Sequence, residues 1–232
     1  MVDIQNRWAL VTGASRGVGR RVAQALAAQG CKLVVHSREL AGTQPLVAQL
    51  KKTGVDVIAV AARLDSATEI DHMIAQVTDL TDDRLDILYN NAAIMTAYRP
   101  MFEPTMNEYC ESFMVNCVAP AKLCDAFLPA MLGRDWGRIV NVTSGICNEP
   151  ELMPYSCSKA ALDRYVRDMM PTLKDTNVLM NLLDPGWLRT DLGGPAAPND
   201  PDTVLPGALT PVLLDKESGS GVLYEAQNYV VS

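Results

Sequence analysis

Histidine is nearly absent. His36 and His72 are the only two in 232 residues, and neither stands beside a plausible nucleophile, so a histidine-based triad has few candidates and both read as structural. The six cysteines, at 31, 110, 117, 124, 147 and 157, form no Cys-x-x-Cys pair and have no histidine at ligand spacing, which disfavours zinc; no metal is expected. Cys110, Cys117 and Cys124 repeat every seven residues and so align on one helix face, expected in a core or an interface. Helical rise separates their sulfurs by ~10 Å, too far to share one ion. No apolar run approaches the ~18 residues of a membrane span. The N-terminus, with Asp3, Gln5, Asn6 and Arg7 ahead of the first apolar run, lacks a signal-peptide core, and the expectation is a cytoplasmic chain with no membrane partner. Basic residues are outnumbered, 20 Lys and Arg against 27 Asp and Glu, and a net charge of −7 argues against a nucleic-acid partner, which needs a dense basic surface.

What is present suits one sizeable core: 48% of residues are hydrophobic, in a length typical of a single α/β domain spanning 1–232. Apolar runs predict strands near 7–12, 32–36, 55–60, 85–89, 137–143, 177–183 and 221–225. Helical spacing predicts helices near 17–29, 39–53, 67–80, 104–132, 155–174 and 203–215. This alternation is the sequence form of a Rossmann-type, doubly wound parallel sheet of about seven strands, with a ligand crevice at the strands' C-terminal ends.

Two motifs fall at that edge. Thr12-Gly13-Ala14-Ser15-Arg16-Gly17-Val18-Gly19 follows the run Trp8-Ala9-Leu10-Val11 and opens a helix, a strand, tight turn and helix that could seat a pyrophosphate on unpaired amides; a glycine-rich turn with no ligand is the alternative. Tyr155-Ser156-Cys157-Ser158-Lys159, with Ser144 eleven positions upstream, reads as a proton-transfer site. On a helix the four-residue offset puts Tyr155 and Lys159 on one face, where the ammonium is expected to lower the phenol pKa. Ser144 could then hold a carbonyl or alcohol oxygen.

Together these residues resemble the short-chain dehydrogenase/reductase family over nearly the whole chain: Thr12 to Gly19, Asp65, Asn90-Asn91-Ala92-Ala93, Asn116, Ser144, Tyr155 with Lys159, and Pro185-Gly186 with Thr190 occur in the family's order. Ala93 departs from the usual glycine, and Asp184 stands where a neutral residue is more usual. The run Pro185 to Pro195 resembles carbonyl-reductase-like members. The resemblance implies that Tyr155 exchanges the proton, that Ser144 orients the substrate oxygen, that Lys159 tunes Tyr155 and bonds the nicotinamide ribose, and that Asn116 disturbs its helix to hold a water leading to Lys159. An exposed asparagine or an interhelix hydrogen bond is the alternative for Asn116.

The resemblance also implies coenzyme contacts from Gly13, Ser15, Arg16, Gly17, Val18 and Gly19, from Asp65 at the adenine, from Asn91, Ala92 and Ala93 along the ribose and diphosphate, and from Pro185, Gly186, Leu188 and Thr190 at the nicotinamide. Asp65 could instead cap the next helix, Asn91 could tie strands, and Pro185-Gly186 could be a plain turn. At the end of the second strand, Ser37 replaces the acid of NAD-selective members and Arg38 follows where NADP-selective members carry a base; with Arg16 this implies NADP(H) in preference to NAD(H).

The irregular stretch after the sixth strand, near 190–206, implies a substrate lid, or a passive connector. Met95, Ile146, Cys147, Leu152, Met153, Trp187 and Leu192 are candidate pocket residues and suit a small or medium apolar aldehyde or ketone. Three functions fit: an NADPH-dependent carbonyl reductase, an NAD(P)-dependent alcohol dehydrogenase working oxidatively, and an NADPH-binding sensor or scaffold without turnover. Family members commonly pair through the helices near 104–132 and 155–174, which implies a homodimer or homotetramer.

Overall fold

The alternating apolar runs resolve, in a computed structural model that describes residues 1–229, into seven parallel strands in the order β3-β2-β1-β4-β5-β6-β7. They are β1 Trp8–Val11, β2 Lys32–Ser37, β3 Val57–Ala61, β4 Leu85–Asn90, β5 Gly137–Val142, β6 Val178–Asp184 and β7 Leu223–Glu225. Helices α1 Gly17–Ala28, α2 Leu40–Lys51, α3 Ala67–Thr81, α4 Met106–Phe113, α5 Ala119–Gly133, α6 Met153–Asp168 and α7 Met170–Leu173 cover the sheet.

Side chains alternate across the sheet with period two, and both faces are buried, so the strands read as continuous apolar runs. Ala9, Val11, Leu33, Val35, Ile87, Tyr89, Val140 and Leu183 form one face's core with α1, α2 and the short helix Gly207–Val212. Leu10, Val34, Val60, Leu88, Ile139, Met180 and Leu182 form the opposite face's core with α3, α5, α6 and α7. Each fully buried Leu or Val contributes about 2 kcal/mol relative to exposure.

Two helical expectations need correction, and a third segment is disturbed at Asn116 as the resemblance implied. The segment near 203–215 forms two short 3-10 helices, Pro201–Val204 and Gly207–Val212, because Pro206 and Pro211 have no amide to donate. The segment near 155–174 breaks at Met169, ahead of Pro171. The segment near 104–132 is continuous but holds a π-helical turn, Met114–Val118, joining α4 to α5. That turn and the drift of a seven-residue spacing on a 3.6-residue helix scatter the cysteine stripe: Cys110 is exposed, Cys117 half-buried and Cys124 buried.

The helical stretch Met106–Gly133 is long and apolar enough by composition to cross a membrane, although Glu108, Glu111, Lys122 and Asp125 interrupt its apolar runs. Its buried stripe, Leu123, Cys124, Phe127, Leu128 and Met131, instead packs in the core.

The N-terminal edge of the sheet is closed by cations. Arg138 is fully buried and donates to the carbonyls of Gly137 (2.8 Å), Asn177 (2.7 Å) and Leu214 (2.8 Å). Arg7 pairs with Asp86 at 3.1 Å, and the Trp136 ring lies between the Arg7 and Arg138 guanidiniums, 3.9 and 4.8 Å from its centroid. Burial, helped by Arg7, lowers the Arg138 pKa to about 10, which leaves it charged at neutral pH.

Candidate active site

Gly13, Asp65, Asn91, Ser144 and Pro185 each lie just beyond the C-terminal end of a strand, whereas Asn116, Tyr155 and Lys159 come from helical segments. Asn91 follows β4 and ties it to the glycine-rich turn after β1: its Nδ2 donates to the carbonyls of Thr12 (2.9 Å) and Gly13 (3.2 Å). Thr12 Oγ1 accepts in return from the amides of Asn91 and Ala92, each at 3.0 Å. Gly13 has φ +65°, and a Cβ there would stand 2.9 Å from Ala92 Cα. Only glycine allows that approach. Gly17 opens α1 and faces Thr190 of the segment after β6.

The start of α1, like that of α2, is uncapped, unlike those of α3 and α4. Ser66 caps α3, accepting from the Glu69 amide, and Thr105 with Glu108 forms a capping box on α4. The residue before α1, Arg16, makes no side-chain cap, and the helix has no acid in its first turn. Its amides and positive dipole end therefore stay available to an anion at the crevice, so the glycine-rich turn fits the diphosphate of a dinucleotide.

Residues expected near the adenosine are partly engaged with one another. Asp65 is held by Arg63 at 3.1 and 2.8 Å, which keeps its carboxyl below the usual range, with a smaller contribution from Arg38; Ser66, not Asp65, caps α3. Ser37 is buried and its hydroxyl donates to the Glu39 carbonyl at 2.7 Å, while Arg38 is exposed. Arg16 pairs with Asp191 of the segment after β6 at 2.8 Å, both side chains about two-thirds exposed.

On α6, Tyr155 and Lys159 share one face, both buried, with Lys159 Nζ 6.0 Å from the Tyr155 ring centroid. Lys159 Nζ donates to the Val142 carbonyl at the end of β5, at 2.7 Å. Burial lowers the ammonium to about 8, opposed by Asp163 and Cys117. The phenol departs from expectation. Burial pushes Tyr155 up to about 12, Ser144 pulls it back, and Asp184 pushes it higher, with no contribution from Lys159. Desolvation of the phenolate sets the direction, and the Lys159 amine is turned to the Val142 carbonyl instead. Ser144 Oγ also accepts from the Ile146 amide at 3.2 Å.

Asn116 is fully buried in the π-helical turn, which excludes the exposed alternative. Its Oδ1 accepts from the Ile94 amide (2.9 Å), and its Nδ2 donates to the Ile94 carbonyl (2.9 Å) and to Ser158 Oγ (3.0 Å). It thus ties the loop after β4 to α6.

The Pro185-Gly186 turn has Gly186 at φ +79°, its amide donating to Asp184 Oδ1 at 2.8 Å. Leu188 is buried beneath it, and Thr190 Oγ1 accepts from the Gly193 amide at 3.2 Å. The segment beyond is irregular yet self-bonded: the Arg189 amide donates to the Asn199 carbonyl at 3.0 Å, and Trp187 Nε1 to the Gly193 carbonyl at 2.7 Å.

Among the suggested pocket residues, Leu152 is core, whereas Met153, Trp187 and Leu192 are exposed. An apolar hollow of about 420 Å³ lies beside Met153, lined also by Met101, Phe102, Pro104, Tyr109 and Pro150.

Sequence reasoning missed Asp163. It extends the Tyr155 and Lys159 stripe by one more turn, accepts from Thr143 Oγ1 at 2.5 Å, and helps keep Lys159 charged. The four-residue spacing was the available signal.

Residues 7–200 match the family model described as short chain dehydrogenase. The chain is 33% identical over 195 residues to the 3-oxoacyl-(acyl-carrier-protein) reductase of Synechocystis, covering 83% of this chain and 78% of that protein. It is 32% identical over 189 residues to the Bos taurus dehydrogenase/reductase SDR family member 4, covering 81% and 67%. Similar solved structures include a metagenomic short-chain oxidoreductase in complex with NADP, at TM-score 0.81 and 26% identity over 97% of this chain and 99% of that one. Another is an NADPH-bound carbonyl reductase from chicken fatty liver, at TM-score 0.84 and 25% identity over 98% and 99%. The chain belongs to the short-chain dehydrogenase family and is an oxidoreductase of that family.

Proposed function

We propose that this chain is an NADPH-dependent reductase that delivers hydride to the carbonyl carbon of a small or medium apolar aldehyde or ketone, with Tyr155 giving the proton to the oxygen. The observation that carries the reading is the buried phenol of Tyr155, protonated at neutral pH, on one helix face with Lys159 and beside Ser144 at the ligand edge of the sheet. A protonated phenol is the form that can give the proton a reduction needs. A protein that only sensed the coenzyme would have no use for this arrangement.

Bound NADPH would supply the hydride. The amides from Gly13 to Gly19 and the open start of α1 would hold its diphosphate, with Asn91, Ala92 and Ala93 along the passage and Pro185, Gly186, Leu188 and Thr190 at the nicotinamide end. Ser144 would donate a hydrogen bond to the substrate oxygen, and Lys159 would hold the ribose. Asn116 keeps the loop after β4 and α6 in register, and Asp163 helps hold Lys159 charged.

NADPH is favoured because β2 ends without an acid, with the Ser37 hydroxyl turned to the backbone and Arg38 exposed beside it. For Arg16 to join it, the contact to Asp191 must open. The stretch near 190–206 serves as a lid over substrate lying toward Met153 and Trp187, and a homo-oligomer would form through α4, α5 and α6.

Titration should give a Kd for NADPH at least ~10-fold below that for NADH, and Arg38→Asp should reverse the order. Equal affinities would remove the coenzyme assignment. Incubation with NADPH and a panel of aldehydes, ketones and quinones, followed by coenzyme absorbance, tests turnover; no oxidation with any of them would remove the reductase.

A further inference from the structure

We infer that His36 is a positioning residue of the coenzyme site, its bare Nδ1 holding the Gly13 amide and with it the glycine-rich turn; the inference rests on the reading that this turn seats a dinucleotide. His36 lies near the end of β2 and is 1% exposed. Its Nε2 is 3.0 Å from the Ala62 carbonyl just beyond β3, and its Nδ1 is 3.2 Å from the Gly13 nitrogen. A carbonyl can only accept, so Nε2 carries the proton. A backbone amide can only donate, so Nδ1 must be bare. Only the neutral ring in this one tautomer satisfies both neighbours, and burial holds the imidazole neutral by lowering its pKa below the usual 6.5.

The same residue grips the turn a second time, because the His36 carbonyl accepts from the Ala14 amide at 2.8 Å. Two successive amides of the loop thus rest on one residue of the neighbouring strand. The Gly13 carbonyl is held by Asn91, and Ala92 lies against the glycine Cα, so the turn is fixed from β2 on one side and from the loop after β4 on the other. The amides that follow, through Gly17 at the start of α1, take their direction from that anchor. Without an acceptor at Nδ1 the Gly13 N–H is left unpaired beside a buried ring, and the turn must move to find another partner.

Two substitutions separate this role from general support of the fold. His36→Leu and His36→Asn both lose the bond to Ala62, but the asparagine Oδ1 stands as many bonds from Cβ as Nδ1 does and can still accept from Gly13. Calorimetric titration with NADP+ at pH 7.5 should show His36→Leu binding about tenfold more weakly than wild type and His36→Asn within about threefold of it.

Equal affinities for all three, or equal losses in both variants, would overturn the inference while leaving the coenzyme reading intact. A wild type that fails to bind NADP+ would overturn both. Should either variant not fold, the ring nitrogens of 15N-histidine-labelled wild type decide. The expected spectrum has a protonated Nε2 and an unprotonated Nδ1 at neutral pH; a protonated Nδ1 would overturn the inference.

Discussion

The two ends of the sheet are built from the same kinds of side chain put to opposite uses. At the N-terminal edge charges are spent on closure: Arg138 donates to three carbonyls, Arg7 pairs with Asp86, and both guanidiniums stack on Trp136. At the C-terminal edge titratable groups are buried with fewer partners. Lys159 has one carbonyl, Tyr155 is pushed up by burial, and α1 starts without a cap. The difference teaches that stability and chemistry are separated along the strands, with the reactive end held in place by satisfied bonds at the other.

Substitutions should break the two ends in different ways. Arg138→Met should cost the most stability, about 4 kcal/mol by urea unfolding, because it strands the carbonyls of Asn177 and Leu214. Turnover per folded molecule should stay within about twofold, since no residue of the crevice touches Arg138. Tyr155→Phe should show the converse: a loss of more than ~100-fold in kcat, with coenzyme affinity and unfolding midpoint close to wild type.

Lys159→Met should move both properties in opposite directions, abolishing turnover and weakening coenzyme binding while stabilising the fold by about 2 kcal/mol. The sign follows from linkage. Burial drops the Lys159 pKa from 10.5 to about 8, so between these values the unfolded chain binds a proton that the folded chain does not, and wild-type stability rises with pH through that window. The variant should lack this rise when unfolding is followed from pH 7.5 to 10. The smallest effect belongs to Asp191→Ala, whose partner is exposed: stability should change by less than about 0.5 kcal/mol. NADPH affinity should stay level or improve as Arg16 is released for the 2′-phosphate, and a clear loss of affinity would show that Asp191 holds the lid shut over the coenzyme.

Strand positions were legible because apolar runs buried on both faces leave few other readings, and Gly13, Asp65, Asn91, Ser144 and Pro185 gathered at one edge because each follows a strand. The proline-rich stretch beyond residue 200 misled, although Pro206 and Pro211 carried the warning that no regular helix could form there. The π-helical turn around Asn116 leaves no mark in hydrophobic spacing, since it adds only one residue to a turn.

The direction of the Tyr155 shift was misread because spacing reports which side chains share a face, not how dry that face is. Burial decides the sign here. Arg138 was passed over and His36 read as structural for a related reason: a lone arginine or histidine looks like a surface or packing residue until the acceptors and donors around it are seen.

The central claim is hydride delivery to a carbonyl carbon with Tyr155 as the acid, and isotope transfer tests it most directly. NADPH carrying deuterium at both C4 positions, incubated with the protein and an apolar aldehyde or ketone, should yield an alcohol with one deuterium on the carbinol carbon. Product formation should fall more than ~100-fold with Tyr155→Phe. An alcohol free of deuterium, or one formed as fast by the variant, would contradict the account.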